Sequence, residues 1–214
     1  MAAPDTAAIA TESAATSGSG ESGSAAQRDR RRRILDATLT LASKGGYDAV
    51  QMRTVADKAD VAVGTLYRYF PSKVHLLVTS LARELSRVES RVDRSQLHGD
   101  NAIERLRHVL DMITFAMQRD PLLTEAMTRA FMFADASATA EVDQVAGIID
   151  RLLAGAIVDE GEPTDDDLAI ARVLADVWMS NLVQWLTRRA SATDVTNRLE
   201  LTVRLLLKDR IVQS

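Results

Sequence analysis

One stretch of the sequence, Arg53 to His75, limits the possible folds more than any other. It reads RTVADKADVAVGTLYRYFPSKVH and covers two short helical patterns. The first runs from Met52 or Arg53 to Lys58 or Ala59, and the second from about Val63 to Tyr69. The turn between them is Asp60-Val61-Ala62. The second pattern mixes small, aromatic and basic residues, which suits a helix lying on a nucleic-acid backbone better than an enzyme core. Two short helices joined by a tight turn predict a helix-turn-helix.

Residues within and after the second helix support this interpretation. Gly64 lies inside the helix, where glycine costs roughly 1 kcal/mol relative to alanine. That cost is reasonable where the backbone must approach another molecule closely. Pro71 ends the helix, and Ser72 is the expected N-cap of the next one. Lys73 then lies beside free backbone N–H groups in the first turn, where it can meet a phosphate.

Charge is distributed unevenly along the chain, although the formal net charge is only -4. Residues 27–75 carry ten Arg or Lys against five Asp or Glu, whereas residues 76–214 carry sixteen against twenty-two. Five arginines fall between Arg28 and Arg33, at the start of the first helical pattern. Positive charge there opposes the helix dipole, so the cluster predicts contact with phosphate groups. The alternative is an ordinary solvated helix start.

Several classes of protein are disfavoured by what the sequence lacks. The absence of cysteine excludes disulfides, Cys-based zinc sites and thiol catalysis. No apolar run approaches the roughly 18–20 residues of a membrane-spanning helix, and no secretory signal precedes the basic cluster. We therefore expect a cytoplasmic protein. Residues 1–26 are rich in Ala, Ser, Thr and Gly, and we expect them to form a disordered arm.

The sequence offers little support for catalysis. His75, His98 and His108 are scattered, and no catalytic triad, phosphate-binding glycine loop or paired metal-ligand spacing is found. The acidic run that follows Thr164 could suggest a metal site, but it better fits a capped helix start in which Asp167 completes a capping box. We expect no enzyme activity, no metal and no cofactor.

The segment from about Ile34 to Leu77 resembles the DNA-binding domain of the TetR family of bacterial transcriptional regulators. The matching residues are Gly45-Gly46-Tyr47, Arg53 with Val55-Ala56, and the run GTLYRYFPSK from Gly64 to Lys73. Two departures stand out. Asp60-Val61-Ala62 replaces the usual Gly-Val-Ser, which predicts a less tightly held turn, and Gln51 stands where a Ser or Thr cap is common.

The resemblance implies an all-α chain with a three-helix DNA-binding domain over residues 27–75, followed by a larger ligand-binding and dimerisation bundle over 76–214. It places Val63, Gly64, Thr65 and Arg68 at the major groove, Tyr67, Tyr69 and Lys73 on the backbone, and Arg53 and Thr54 near the groove. On physical grounds Arg68 is the best candidate for bidentate contact with guanine, and half of Tyr67 could simply pack on the first helix. With the cluster arginines, the predicted DNA-binding residues are Arg28, Arg30, Arg31, Arg53, Thr54, Val63, Gly64, Thr65, Tyr67, Arg68, Tyr69 and Lys73.

Bulky, adaptable side chains suggest a ligand pocket in the second part of the chain. Methionines and phenylalanines concentrate in two adjacent helical patterns, and two tryptophans share a face with Leu182. An ordinary core is the alternative for each residue, whereas the TetR resemblance implies an inducer pocket. The predicted ligand-binding residues are Met112, Phe115, Met127, Phe131, Met132, Trp178, Leu182 and Trp185.

The resemblance also implies a homodimer formed by the last two helices, here Leu168–Arg189 and Val195–Val212. A stripe from Val195 to Leu206, with Leu201 and Leu205 apolar elsewhere, predicts that the last helix packs on two sides.

Over its full length the chain resembles the members of this family that repress sterol catabolism in actinobacteria. That resemblance implies a repressor that binds palindromic operator DNA and is released by a sterol-derived acyl-CoA thioester. Candidate partners for the CoA phosphates are Arg129, Arg172, Arg188 and Arg189. The alternatives are a regulator of another apolar ligand, an effector-independent DNA-binding protein and a helical enzyme acting on acyl-CoA.

Overall fold

The computed structural model describes residues 18–92, 99, 101–159 and 161–208. Within these residues the chain is all-α, as predicted, with nine α-helices and one turn of 3₁₀ helix at Ala136–Ala138. The helices are α1 (Gly18–Ala49), α2 (Met52–Ala59), α3 (Val63–Tyr69), α4 (Lys73–Glu89), α5 (Ala102–Gln118), α6 (Pro121–Met132), α7 (Thr139–Ile157), α8 (Asp165–Leu186) and α9 (Ala192–Leu206).

The first helix is longer than the sequence pattern indicates. It begins at Gly18, so residues 18–26 of the arm that we expected to be disordered are helical. Residues 1–17 lie outside the described part of the chain. Near its C-terminal end α1 bends at Gly45 and Gly46, and Gly46 has φ 66°. A Cβ at Gly46 would lie 3.2 Å from Glu125 Oε2, so only glycine fits this bend against α6.

Helices α1, α2 and α3 form a three-helix unit around a small apolar core. Leu66 and Phe70 are buried in it, as predicted. Helix α2 ends at Asp60, whose left-handed conformation reverses the chain, and the N–H of Val61 donates to Ala56 O at 3.0 Å. Gln51 makes no side-chain cap, and α2 begins at Met52.

The other helices, α4 to α9, form the bundle. Ser72 caps α4, as predicted, by accepting from the N–H of His75. Helix α7 runs through the interior and buries the apolar side chains of its second half. Thr164 and Asp167 form the expected capping box at the start of α8. Helix α8 ends earlier than expected because Arg188 turns left-handed, and the N–H groups of the next two residues both donate to Gln184 O.

Arginines tie separate helices together. Arg105 on α5 is buried and donates to Ala156 O and Ile157 O, each at 3.1 Å, at the C-terminal end of α7. Arg83 on α4 pairs with Asp36 on α1 at 2.8 Å, which joins the bundle to the three-helix unit. Among the described residues, none of the helices combines the length and hydropathy needed to cross a membrane.

Candidate nucleic-acid interface and effector cleft

Helix α3 presents the side chains that the sequence singled out. Arg68 and Gly64 are exposed, Tyr67 is 48 % exposed, and Val63, Thr65 and Tyr69 are half-buried. Gly64 has ordinary helical geometry, and a Cβ placed there would meet nothing within 4 Å. The fold therefore has room for a larger residue at this position. The open space lies on the outer face of α3, where another molecule can approach the backbone.

Helix α2 adds two polar side chains to this region. Arg53 and Thr54 lie in its first turn and are exposed. No acidic residue occupies this first turn or that of α3. The first turns of both helices therefore leave their backbone N–H groups without a competing carboxylate, which favours an anionic partner.

The arginines of the α1 cluster have different surroundings. Arg32 pairs with Asp29 at 2.5 Å, and this hydrogen bond lowers the pKa of Asp29 below its usual value. The guanidinium of Arg31 lies 5.7 Å from the centre of the Phe70 ring. Arg33 points at the turn between α2 and α3 and donates to backbone carbonyls there. The predicted phosphate contacts of the cluster therefore rest mainly on its other members.

Arg30 shares a surface depression with α3. Together with Gln27, Arg68 and Tyr69 it lines an open space of about 340 Å³. The depression joins two cationic side chains from helices that are distant in sequence. The sequence analysis did not single out Gln27, because a lone glutamine on an exposed helix carries no signal of its own.

Lys73 is turned toward the bundle. Its ammonium nitrogen lies 3.7 Å from the centre of the Tyr47 ring, and the guanidinium of Arg129 lies 4.4 Å from the same ring. Burial lowers the pKa of Lys73, and the charge of Arg129 acts in the same direction. Phosphate contact by Lys73 stays a prediction, and in this conformation its charge lies over an aromatic ring instead.

Tyr47, Lys73 and Arg129 form what we call the junction, where α1, α4 and α6 meet. The N–H of Tyr47 also donates to Glu125 Oε2 at 3.3 Å. Nearby, His75 Nε2 lies 3.0 Å from Ser137 O, and because a carbonyl only accepts, this nitrogen carries the proton. Helix α6 and the turn after it therefore contact both the end of α1 and the start of α4.

A cleft of about 270 Å³ opens between α6, α7 and α8. Two predicted ligand-binding residues, Phe131 and Trp178, line it. Arg172 stands at its edge, where Nε donates to Asp150 Oδ2 at 3.0 Å. Of the other arginines considered for CoA, Arg129 belongs to the junction, and Arg189 donates to Thr187. The remaining lining residues are Ala146, Ile149, Ala175, Asp176 and Met179.

The eight predicted ligand-binding residues are not gathered in one cavity. Trp178, Leu182 and Trp185 line a second crevice, between α5, α8 and α9, whose free volume is about 10 Å³. Met127 is buried in the core and Met112 is half-buried, whereas Phe115 and Met132 are 65 % and 52 % exposed. Helical spacing predicted the shared face of the two tryptophans, but it could not predict which face packs and which borders open space.

The last two helices leave apolar side chains uncovered. Val195, Leu199 and Val203 of α9 are buried against the bundle, whereas Leu201 and Leu205 are exposed. Val173 on α8 is also exposed. The second apolar side of α9 is therefore exposed in the single chain, and its packing against a second copy stays a prediction.

Comparisons with known proteins agree with this architecture. Residues 34–79 match the model of bacterial regulatory proteins of the tetR family, and residues 99–206 match a tetracyclin repressor-like C-terminal domain. The chain belongs to the TetR family and is a DNA-binding transcriptional regulator. It is 69 % identical, over 93 % of its length and 92 % of the relative's, to the HTH-type transcriptional repressor KstR of Rhodococcus jostii.

Two solved structures share the fold. A TetR transcriptional regulator from Rhodococcus sp. RHA1 has a TM-score of 0.75 and 31 % identity, covering 86 % of this chain and 97 % of that one. The FadR repressor of Thermus thermophilus, solved with lauroyl-CoA, has a TM-score of 0.61 and 24 % identity, covering 83 % of this chain and 93 % of that one.

Proposed function

We propose that the protein is a dimeric repressor that binds palindromic operator DNA and is released by a sterol-derived acyl-CoA thioester. It would thereby control genes for sterol degradation. The observation that supports DNA binding best is the outer face of α3, where Gly64 leaves open space beside the exposed Arg68. Similarity to KstR supports repression as the outcome.

In this proposal α3 lies in the major groove and the α1 cluster on the adjacent backbone. Arg68 is placed to contact a base edge, and the depression that it shares with Arg30 accommodates a phosphate. Arg53, Thr54 and the hydroxyls of Tyr67 and Tyr69 fix the position of α3 without reading bases.

The dimer forms through α8 and α9. Val173, Leu201 and Leu205 would be covered by the same helices of a second copy, which removes exposed apolar surface from water. The two α3 helices must then lie about 34–36 Å apart to enter successive major grooves. A palindromic operator follows from this two-fold symmetry.

The effector enters at the α6–α7–α8 cleft. Phe131 and Trp178 offer apolar walls for a flat ring system, and Arg172 lies at the edge, where it can exchange Asp150 for a phosphate. The cleft is slightly smaller than the roughly 300–1,000 Å³ of typical ligand sites, so binding must move α6 or α8. The FadR relative shows that this fold holds an acyl-CoA in another protein.

Movement of α6 would reach the DNA-binding unit through the junction. Arg129 on α6 contacts Tyr47, and Tyr47 contacts Lys73 at the start of α4. A shift of α6 would therefore change the positions of α1 and α4, and this change would alter the spacing of the two α3 helices. Effector and DNA then oppose each other through a coupling free energy, typically about 1–3 kcal/mol.

The test is fluorescence anisotropy with the DNA upstream of the protein's own gene, titrated with sterol-derived acyl-CoA, fatty acyl-CoA and free CoA. We expect tight binding that the sterol thioester weakens about tenfold or more. Release by fatty acyl-CoA alone would reassign the effector. Binding that no compound changes would favour an effector-independent DNA-binding protein.

A matched pair of variants tests the cleft itself. Ala175→Phe fills the cleft, and we expect it to bind DNA normally but to lose release by the effector. Ala140→Phe places the same side chain on an exposed position of α7, outside the cleft, and should respond like the wild type. Equal responses of the two variants would place the effector elsewhere.

A further inference from the structure

The turn between α2 and α3 is held by a residue from outside the helix-turn-helix. Asp60 ends α2 with φ 52° and ψ 56°, a left-handed conformation that suits glycine and that other residues rarely adopt. The following Ala62 caps α3 without any side-chain hydrogen bond. The turn therefore lacks both a glycine and a polar cap, and its own residues hold it through backbone hydrogen bonds such as that from Val61 N–H to Ala56 O.

Arg33 on α1 supplies further support. Its Nη1 donates to Ala59 O at 2.7 Å and to Asp60 O at 3.2 Å, across 26 and 27 residues of sequence. These carbonyls lie at the C-terminal end of α2, where the helix dipole is negative and a cation is favoured. One guanidinium therefore joins α1 to both residues at which the chain reverses.

Two carboxylates fix the direction of the Arg33 side chain. Its Nε lies 3.4 Å from Asp29 Oδ2 on the same helix, and Nη1 lies 3.7 Å from Asp60 Oδ2. The side chain is 38 % exposed, whereas that of its neighbour Arg32 is 67 % exposed. The Arg33 side chain is thus directed inward and bonded to the protein, whereas a side chain that contacts phosphate would extend into solvent.

We infer that Arg33 is a positioning residue for DNA recognition: it fixes the α2–α3 turn against α1 and sets the angle of α3, without touching DNA. This inference rests on the proposed DNA-binding function. It separates Arg33 from the rest of the arginine cluster, whose contribution is electrostatic.

The slope of log affinity against log salt concentration distinguishes the two roles. Each phosphate contact contributes about 0.9 to this slope. We expect Arg33→Ala to weaken operator binding about tenfold, to weaken non-operator binding less, and to leave the slope unchanged. Arg30→Ala is the matched control from the same helix. Because the proposed dimer carries two copies of Arg30, this variant should lower the slope by about 1.8 on both DNAs. A lower slope for Arg33→Ala would mean phosphate contact and would overturn the inference.

A second pair of variants tests whether the turn is the target. Asp60→Gly removes the conformational strain, so the turn keeps its shape with less support. We expect Arg33→Ala to weaken operator binding by a much smaller factor in the Asp60→Gly protein than in the wild type. An equal factor in both proteins would show that Arg33 does not act through the turn.

Arg33→Lys keeps the charge and guards against misfolding of the alanine variant. A single ammonium cannot span the two carbonyls and Asp29 together, so we expect weaker operator binding at an unchanged slope. Full operator affinity in this variant would overturn the inference. If the wild-type protein fails to bind its upstream DNA, the proposed function fails instead, before any variant is compared.

Discussion

Helices α3 and α8 each carry the residues that most strongly suggested function, yet their surroundings differ. The outer face of α3 is exposed, and Gly64 borders open space. On α8, Trp178 and Leu182 are each only 4 % exposed, and the crevice beside them is nearly filled. In the proposed function, the face that would contact DNA is therefore exposed before its partner arrives. The proposed effector cleft of about 270 Å³ borders the packed face at Trp178 and must widen to hold a sterol thioester.

This difference has an energetic meaning. A preformed face needs little rearrangement on binding, so its contacts are converted efficiently into affinity. A packed site must separate contacts among its own side chains before it can accept a ligand, and that cost lowers the apparent affinity for the effector. DNA binding is then the default state, and release is the state that requires added free energy. This order is the one that a repressor needs.

The largest expected effect tests whether the bundle is held as firmly as its packing suggests. Removing Arg105 in Arg105→Ala leaves two buried carbonyls at the end of α7 without partners, and it also breaks the pair with Asp159. We expect the free energy of unfolding to fall by about 2–4 kcal/mol, measured by urea denaturation.

The control for this variant is an exposed ion pair of the same bundle. Arg151 pairs with Glu89 at 2.8 Å but is 57 % exposed. Arg151→Ala should therefore cost less than about 1 kcal/mol. Similar losses for the two variants would mean that the end of α7 is not anchored by Arg105.

The next largest effect concerns the face of α3. Arg68→Ala should weaken operator binding by about 1–3 kcal/mol for each half-site through the loss of a bidentate base contact. Binding to non-operator DNA should weaken much less, because phosphate contacts do not depend on sequence. Competition assays with the two DNAs measure the difference, and equal losses would remove Arg68 from base recognition.

Gly64 offers a sharper test of the same face, because stability and binding should move in opposite directions. Gly64→Ala should stabilise the protein by about 0.5–1 kcal/mol, since a Cβ meets nothing in the fold. It should nevertheless weaken operator binding, because the new methyl group occupies the approach of the DNA. Thermal melting and anisotropy together measure both effects.

Gly147 on α7 provides the matched control for this substitution. A Cβ there would meet only the end of the flexible Arg151 side chain, at 3.4 Å. Gly147→Ala should therefore stabilise the helix and leave operator binding unchanged. A Gly64→Ala protein that binds the operator normally would show that DNA does not come close to this part of α3.

The smallest effect tests how the two regions communicate. Tyr47→Ala removes the ring that Lys73 and Arg129 share, and we expect the coupling between effector and DNA to fall by about 0.5–1 kcal/mol. Tyr47→Phe keeps the ring and should keep the coupling. The ratio of operator affinities with and without effector measures this coupling. An unchanged ratio in the alanine variant would show that the coupling does not pass through Tyr47 and would favour the contact between His75 and Ser137.

Local signals in the sequence predicted the helices well. The cap at Ser72 and the capping box at Thr164 lie where expected, because short-range hydrogen bonds decide such features. The buried positions of α3 followed from helical spacing in the same way. Each feature that was predicted correctly is determined by residues within a few positions of it.

The features that could not be predicted from the sequence depend on contacts between residues that are distant along the chain. Arg33 reaches a turn 26 residues away, and Lys73 turns toward a tyrosine of another helix. Which of the candidate ligand-binding residues border a cleft could not be predicted for a related reason, since the exposure of Phe115 or Phe131 to a cleft depends on how three helices pack. The one indication in the sequence of the support from Arg33 was that Asp60 stands where a glycine is usual.

Because α1 is long, a small tilt at the junction moves residues farther along the helix by several ångströms. The helix carries the cluster arginines near its middle, and its bend at Gly45 and Gly46 lies against α6 near its C-terminal end. From Lys44 back to Arg30 the rise is about 21 Å, so a tilt of about 10° at the bend would carry Arg30 sideways by nearly 4 Å, on the order of a hydrogen-bond length. In the proposed function, such a tilt about Gly45 and Gly46 would turn a small displacement of α6 into the loss of a phosphate contact.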